Sequence, residues 1–239
     1  MKYLDLTFPD PASNLACDEV LLEMCEANDE NELLRIWEPE NYFVVMGYSN
    51  KVASEINISA CRAKGIPIFR RFSGGGTVLQ GPGCLNYSLA VKHERLGIPV
   101  DLTESYRFVL ERHLTVCAGQ RSKTVEIQGI SDLAMDGRKF SGNAQHRKRF
   151  CSLFHGTFLL RFNLGLIETC LNMPSRQPAY RHGRSHQAFL CNLNAASGDI
   201  RQALKQAWGA DQELQEVPFD RIKDLSRQRY ARDEWNLKF

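Results

Sequence analysis

The chain has 239 residues, enough to bury a substantial core as one larger domain or as a domain with a small appendage. Hydrophobic content of 43% and charged content of 24% are ordinary for a globular protein, and a formal net charge of +2 lends nucleic-acid binding no support. No apolar run approaches the roughly 18 residues that span a bilayer, so a membrane role has no support either.

Met1 to Leu6 lacks the charged start and apolar stretch of a secretion signal. Asp10-Pro11 reads as a cap with a first-turn proline, and Leu15, Val20, Leu21, Leu22 and Met24 continue as an amphipathic helix ending before Asn28-Asp29. Leu33 to Trp37 and Tyr42 to Met46 are β-prone runs. A short helix over 57–64 stops at Gly65, and Ile66 to Phe72 reads as a strand entering a glycine triplet. Thr77 to Leu79 and Leu85 to Val91 are further strands, joined by the dense turn signal Gln80-Gly81-Pro82-Gly83. Thr103 to Cys117 is the longest helical pattern and Thr124 to Gln128 a strand. Asp136-Gly137 is the strongest hairpin dipeptide, flanked by Leu133-Ala134-Met135 and Lys139-Phe140. Leu153 to Phe162 continues as a strand and Leu164 to Leu171 as a helix. Residues 172–188 are a polar loop long enough to suggest function or mobility, followed by helices at 198–208 and 221–231. The pattern predicts one α/β (α+β) domain with a mixed, largely antiparallel sheet flanked by helices. Eight cysteines, none in a C-x-x-C pair, suit reduced, packed thiols, and the expected compartment is the cytoplasm.

Two segments carry the chemistry: Arg70-Arg71-Phe72-Ser73-Gly74-Gly75-Gly76-Thr77 and Gly137-Arg138-Lys139-Phe140-Ser141-Gly142-Asn143-Ala144-Gln145. Glycines let the backbone approach a ligand and expose its N–H groups, while Arg and Lys supply positive charge. Together they suit a bulky anion, with a nucleotide phosphate the leading candidate. The triplet alone is more commonly a tight turn without a ligand. It fits neither G-x-x-x-x-G-K-[ST] nor a helix-opening G-x-G-x-x-G. Paired arginines entering the turn favour a ligand, because a structural turn has no need of them. Lys139 alone is either a solvated strand residue or a ligand group. The small and amide residues after it are poor strand formers and suggest a backbone shaped around a ligand. His155-Gly156-Thr157 reads as strand, with a packed, hydrogen-bonded histidine. The histidines are too dispersed for a zinc spacing, and no G-x-S-x-G elbow occurs. Basic residues are densest over 137–149, and the run 146–149 suits either an acidic partner surface or a solvated strand edge.

In order and spacing these runs resemble the lipoate–protein ligase A family. Arg70-Arg71-x-Ser73-Gly74-Gly75-Gly76-x-Val78 and Gly83-x-Leu85-Asn86-Tyr87-Ser88 are similar to its lipoate-binding motif. Asp132-Leu133, the Gly137–Gln145 run and His155-Gly156-Thr157-x-Leu159-Leu160 resemble its second signature. Met46-Gly47 with Asn50 and Glu55-Ile56-Asn57 fit the upstream segment, and Tyr230-Ala231-x-Asp233-Glu234-Trp235-Asn236 the closing one. Two departures stand out. Ser131 precedes Asp132 where the family usually has asparagine, and Tyr180-Arg181-x-x-Arg184-x-His186 replaces a simpler basic loop.

The resemblance implies a class II synthetase-like biotin/lipoate ligase core, with 1–239 a single catalytic domain and no C-terminal accessory domain. It implies ATP and Mg²⁺ with lipoate as substrate, a lipoyl-adenylate intermediate, and transfer to a lysine of a lipoyl-acceptor domain (2-oxoacid dehydrogenase E2 or glycine cleavage H protein). Lys139 would bond the lipoyl carbonyl and α-phosphate oxygens. Arg70, Arg71 and Ser73 would border the acyl and phosphate site, and Gly74, Gly75 and Gly76 would leave room for a slender acyl chain. Asn86 and Asp132 would position adenylate or Mg²⁺, His155 would line the acyl tunnel, and Gly142, Asn143, Ala144 and Gly156 would complete the substrate site. An alternative is a cysteine-dependent octanoyl or lipoyl transferase without ATP. The nucleophile of such relatives lies shortly before the Gly-x-Lys turn, and residues 118–136 contain no cysteine. Cys84 and Cys151 lie near the motifs but read as packing residues, while the Gly81-Pro82-Gly83 turn resembles that of the octanoyltransferases. A third reading is a subunit that needs a separate accessory chain. Biotin ligation lacks its G-R-G-R-x-G-R-type loop.

Overall fold

A computed structural model describes residues 1–27, 32–117 and 124–239. Its strands are Lys2–Asp5 (β1), Leu33–Trp37 (β2), Phe43–Met46 (β3), Ile68–Arg70 (β4), Val78–Gln80 (β5), Cys84–Lys92 (β6), Val125–Gln128 (β7), Asp132–Met135 (β8), Arg138–Arg147 (β9), Cys151–Leu159 (β10) and Gln212–Glu213 (β11). Eight of these form one sheet in the order β11-β1-β2-β6-β10-β9-β8-β7, and β4-β3-β5 form a second. Only the β1–β11, β1–β2 and β3–β4 pairs are parallel, so the mixed, largely antiparallel sheet expected from sequence is the one observed.

Most elements form where local chemistry directs. Asp10 accepts from the Ser13 amide at 2.7 Å and starts the Pro11–Ala27 helix. Asp101 does the same for Leu102–Val116, and Asn57 for Ile58–Ala63. Asp136 and Gly137 both take positive φ, 52° and 71°, which a two-residue hairpin between β8 and β9 requires. Other boundaries differ. β1 has no counterpart in the sequence reading, β4 stops at Arg70 short of Phe72, and β10 ends at Leu159 short of Phe162. Part of the polar 172–188 loop is ordered as a turn over Ala179–Arg181 and a helix over His186–Phe189.

The large sheet has two unlike faces. Tyr87, Leu89 and Val91 of β6 pack with Val109, Leu110 and Leu204 beneath the Leu102–Val116 and Ser197–Trp208 helices. Ala90 and Leu33 turn the other way, onto the Pro11–Ala27 helix. Cross-strand register aligns Trp37, Asn86, Thr157, Gly142 and Asp132 as one row across β2, β6, β10, β9 and β8. Directly opposed residues share a face, so this row forms one continuous floor.

Candidate active site

That floor lies under a cavity of about 600 Å³, walled by the glycine turn, β5 and residues of the 172–190 segment. Among the sequence-predicted residues, Arg71, Gly75, Gly76, Asn86, Asp132, Lys139, Gly142, Asn143, Ala144, His155 and Gly156 line it; Arg70, Ser73 and Gly74 do not.

Lys139 reaches the cavity because of a bulge. Leu133 opposes Ser141 while Ala134 opposes Lys139, so Phe140 is an extra residue in β9. Phe140 is fully buried among the core residues on the helix-covered face. The insertion resets the alternation and puts Lys139 on the same face as Gly142. A side chain there would block it, since a Cβ on Gly142 would lie 2.6 Å from Lys139 Nζ. Lys139 Nζ instead pairs with Asp132 Oδ1 at 2.7 Å, and the Tyr180 hydroxyl donates to Asp132 Oδ2 at 2.8 Å. Burial first, then the adjacent Asp132 carboxylate, raises the Tyr180 pKa, so its proton stays on as the donor in this bond.

Tyr180 was absent from the sequence-predicted site. The signal available was the unusual Tyr180-Arg181-x-x-Arg184-x-His186 run, whose arginines turn out to be fasteners. Both terminal nitrogens of Arg184 donate to Gly137 O at 3.2 Å, and Nη2 also donates to Tyr180 O at 2.7 Å. Arg138 donates to Gln187 O, and the Cys191 amide donates to Lys139 O at 2.9 Å. The guanidinium groups of Arg181 and Arg184 lie over the Phe189 ring at 4.8 and 5.2 Å. The hairpin carrying Lys139 and the segment carrying Tyr180 are one bonded unit.

The glycine turn is shaped by close backbone approach. A Cβ on Gly47 would meet Gly75 O at 2.1 Å, and Gly75 has φ of 91°. Arg71 holds the turn from inside, with Nη2 donating to Gly74 O at 2.6 Å and Gly76 O at 2.8 Å. Its Nε donates to Ser73 Oγ at 3.1 Å, and Ser73 Oγ shares a 2.6 Å hydrogen bond with His155 Nε2. Ser73 and Gly74 thus brace Arg71. Burial lowers Arg71 to about 10, which leaves it a cation at neutral pH. Burial, then Arg71 and His146, lowers His155 to about 3, so its imidazole is neutral.

Arg70 corrects the sequence reading. It is fully buried, its Nη1 donating to Gly47 O, Tyr48 O and Asn50 O, and its Nε to Trp235 O. Its own amide donates to Asn236 Oδ1 at 2.9 Å, and its carbonyl accepts from Trp235 Nε1 at 2.8 Å. Arg70 therefore fastens the closing Trp-Asn segment to β4, and its charge is spent on carbonyls. Arg70 is the last residue of β4 and Arg71 the first beyond it, which separates the two roles. Asn143 and Gly156 pair across β9 and β10 on the other pleat from Gly142. Asn143 donates to Ser131 O at 2.7 Å and accepts from the Tyr87 hydroxyl at 2.8 Å, which fixes its side chain at the cavity edge.

Three further observations bear on chemistry. Gln80, Thr157 and Asn86 form a buried chain at the β5 side, Gln80 Nε2 donating to Thr157 Oγ1 at 2.7 Å and Thr157 Oγ1 to Asn86 Oδ1. All eight cysteines are buried, and none lines the cavity. Burial raises Cys17 to about 11 and Cys25, Cys61 and Cys117 to about 12, and raises Cys84, Cys151 and Cys170 as well. Among the described residues no three His, Cys, Asp or Glu side chains cluster to hold a metal. Asp132 has one carboxylate oxygen on Lys139 and the other on Tyr180. No helix among the described residues is long and apolar enough to cross a membrane.

Comparison with known proteins places this geometry. Residues 10–208 match the family described as the lipoyl protein ligase A/B catalytic domain. The octanoyltransferase LipM of Brevibacillus brevis is 26% identical, over 99% of this chain and 98% of its own. The lipoate-protein ligase LplJ of Bacillus subtilis is 24% identical, over 95% of this chain and 70% of its own. The bi-partite lipoate protein ligase of Thermoplasma acidophilum, solved in a study with its E2 lipoyl domain, has the same fold, with TM-score 0.82, 19% identity and coverage of 99% and 95%. Lipoate-protein ligase A bound with ATP superposes with TM-score 0.81 at 20% identity, covering 99% and 98%.

Proposed function

This chain belongs to the lipoyl protein ligase A/B catalytic-domain family, and we propose that it transfers a lipoyl-class acyl group, activated as an acyl-adenylate, to a lysine of an acceptor domain. The observation that carries this reading is the pairing of a cavity-facing Lys139 with a cavity that no cysteine lines. A cysteine thioester needs a reactive thiolate, and burial pushes Cys17, Cys25, Cys61 and Cys117 the other way. Activation must then come with the substrate.

In this reading Lys139 leaves Asp132 to bond the acyl carbonyl and α-phosphate oxygens, where negative charge accumulates in both half-reactions. Tyr180 keeps Asp132 in place while Lys139 is engaged elsewhere. Arg71 and the backbone N–H groups of the glycine turn add fixed positive potential without moving. A free carboxylate is a poor acylating agent; its attack on the α-phosphorus of ATP releases pyrophosphate and gives the acyl-adenylate, whose carbonyl the acceptor amine then attacks, so that AMP leaves and an amide remains. Mg²⁺ would shield phosphate charge beside Asp132. The remaining task of the fold is to hold the anionic partners together.

A second reading follows from the named relatives. Octanoyltransferases such as LipM support acyl transfer from a carrier without ATP, and they fit that alternative better than ATP-dependent ligation. One experiment separates the two. The purified protein is given lipoate, ATP and Mg²⁺, or octanoyl-carrier protein alone, each with an apo lipoyl domain. AMP release with acceptor mass gain in the first mixture is the expected result. Transfer from the carrier without ATP, abolished by a single Cys→Ser change, would overturn it. Activity appearing only with a second chain added would match the bi-partite arrangement of the Thermoplasma relative.

A further inference from the structure

The floor row runs from Asp132, the ion-pair partner of Lys139, through Gly142 and Thr157 to Asn86 and Trp37. Apolar walls gather at the Trp37 end, where Trp37, Val45, Val78, Leu79 and Leu159 line the cavity. Resting on the proposed function, an acyl carbonyl at Lys139 sends its tail toward those walls. From β9 to β6 is two strand spacings, about 10 Å, which an extended eight-carbon chain covers.

The end of that path is not purely apolar. Gln80 Oε1, Asn86 Nδ2 and Trp37 Nε1 are buried without a hydrogen-bond partner. The three residues are 5%, 3% and 3% exposed, and all line the cavity. Reversing both side-chain amides about Thr157 changes nothing essential: one donor and one acceptor still remain, and the indole adds a second donor. An unsubstituted octanoyl tail offers these atoms only methylene and methyl groups, leaving all three desolvated and unmet.

We infer that the Gln80–Asn86–Trp37 end of the cavity is a specificity site that selects an acyl chain with sulfur at its far end over a plain hydrocarbon chain of equal length. Sulfur accepts weakly from the N–H donors of the indole and the side-chain amides, and its polarizable bulk suits the surrounding apolar walls. A site built to hydrogen-bond its substrate rejects the analogue lacking the partner group far better than an apolar pocket rejects a changed one. Sulfur bonds being weak, the discrimination expected here is about 10-fold to 10²-fold, well below the hydroxyl case.

The test is competition. Unmodified protein receives equal lipoate and octanoate with ATP, Mg²⁺ and an apo lipoyl domain, and products are resolved by mass; direct binding of each acid is measured by calorimetry in parallel. The expected result is a lipoate-to-octanoate preference of at least about 10-fold, reduced in Gln80→Leu and, independently, in Trp37→Phe, which keeps an aromatic ring while removing the N–H donor together with part of the ring volume. Use of the two acids within about two-fold of each other would mean that the three atoms hold a buried water, and the inference falls. A preference unaltered in both variants also overturns it. If lipoate binds preferentially yet nothing is transferred, the function reading fails while the specificity site stands. Preferential binding of octanoate defeats the site whatever the turnover.

Discussion

Lys139 is held between two demands: a cavity side chain must be free to move onto an anion, and a half-buried ammonium needs a partner while it waits. Asp132 meets the second at 2.7 Å, with Tyr180 holding the far carboxylate oxygen. Lys139→Ala should lower acyl transfer on the order of 10²- to 10³-fold. Its thermal midpoint should change little, because Asp132 keeps Tyr180 and gains solvent. A variant that still forms acyl-adenylate at full rate would remove Lys139 from the chemistry. His155 and His113 make a different kind of residue-scale claim, since burial lowers both to about 3. His113 accepts from Trp208 Nε1 at 3.0 Å deep in the helix-covered core. Below the ordinary value of 6.5 the unfolded chain binds a proton at each histidine and the folded chain does not. Acidification therefore destabilises the fold from 6.5 down to about 3, and above 6.5 these groups contribute no pH dependence. Each histidine steepens the slope by about 1.4 kcal/mol per pH unit within that window. Urea unfolding between pH 6 and 5 should thus show a shallower slope for His113→Phe, by roughly one histidine's share. Parallel lines for the two proteins would mean that His113 already titrates normally.

At the scale of elements, two glycines show how backbone shape and chemistry divide. A methyl on Gly47 would strike a backbone oxygen of the glycine turn at 2.1 Å, and neither partner can yield without moving β3 or the turn. Gly47→Ala should cost about 1–3 kcal/mol by overpacking. A methyl on Gly142 would meet only the mobile end of Lys139, at 2.6 Å, so the fold should tolerate it. Displacing the ammonium by about an ångström should still reduce turnover, up to about 10²-fold. Chemical denaturation and steady-state kinetics on both variants check the contrast; equal loss of stability in the two would refute it. The same elements show what a sequence declares. Asp136-Gly137 announced its hairpin because such a dipeptide tolerates two positive φ angles, and Asp10 announced its helix through its cap; the Asp101 cap went unread. The bulge at Phe140 had no such local marker, since it depends on how β8 and β9 pair, and it alone puts Lys139 over Gly142. Arg70 and Arg71 were indistinguishable as letters; β4 ends between them and sends one guanidinium to Trp235 and the other into the glycine turn. Tyr180 was hidden because its partner is 48 residues away, and Gln80 because turn chemistry masked a side chain that reaches Thr157.

Across the whole molecule, the eight thiols are distributed through three separate apolar clusters rather than gathered at the site. Cys17, Cys25 and Cys151 lie with the Pro11–Ala27 helix, Cys61, Cys84 and Cys170 behind the small sheet, and Cys117 and Cys191 on the helix-covered face. Such positions are set by packing: a small apolar side chain fills space, and burial that excludes water also suppresses the thiolate. The arrangement yields a prediction that spans the entire chain. Native protein treated with a small alkylating reagent at pH 8 should keep its acyl-transfer activity, and single replacement of any cysteine by alanine should leave the reaction chemistry intact. Changes should instead appear in stability, each removal of a buried sulfur costing on the order of 1 kcal/mol. The decisive measurement is intact-mass analysis after mixing with octanoyl-carrier protein. A covalently acylated enzyme that hydroxylamine cleaves would require a thiolate at the cavity wall, which the packing of these residues opposes. An unmodified enzyme mass with the carrier, beside a lipoyl domain acylated once lipoate, ATP and Mg²⁺ are supplied, would leave Lys139, Asp132, Tyr180 and Arg71 to stabilise charge rather than to carry the acyl group.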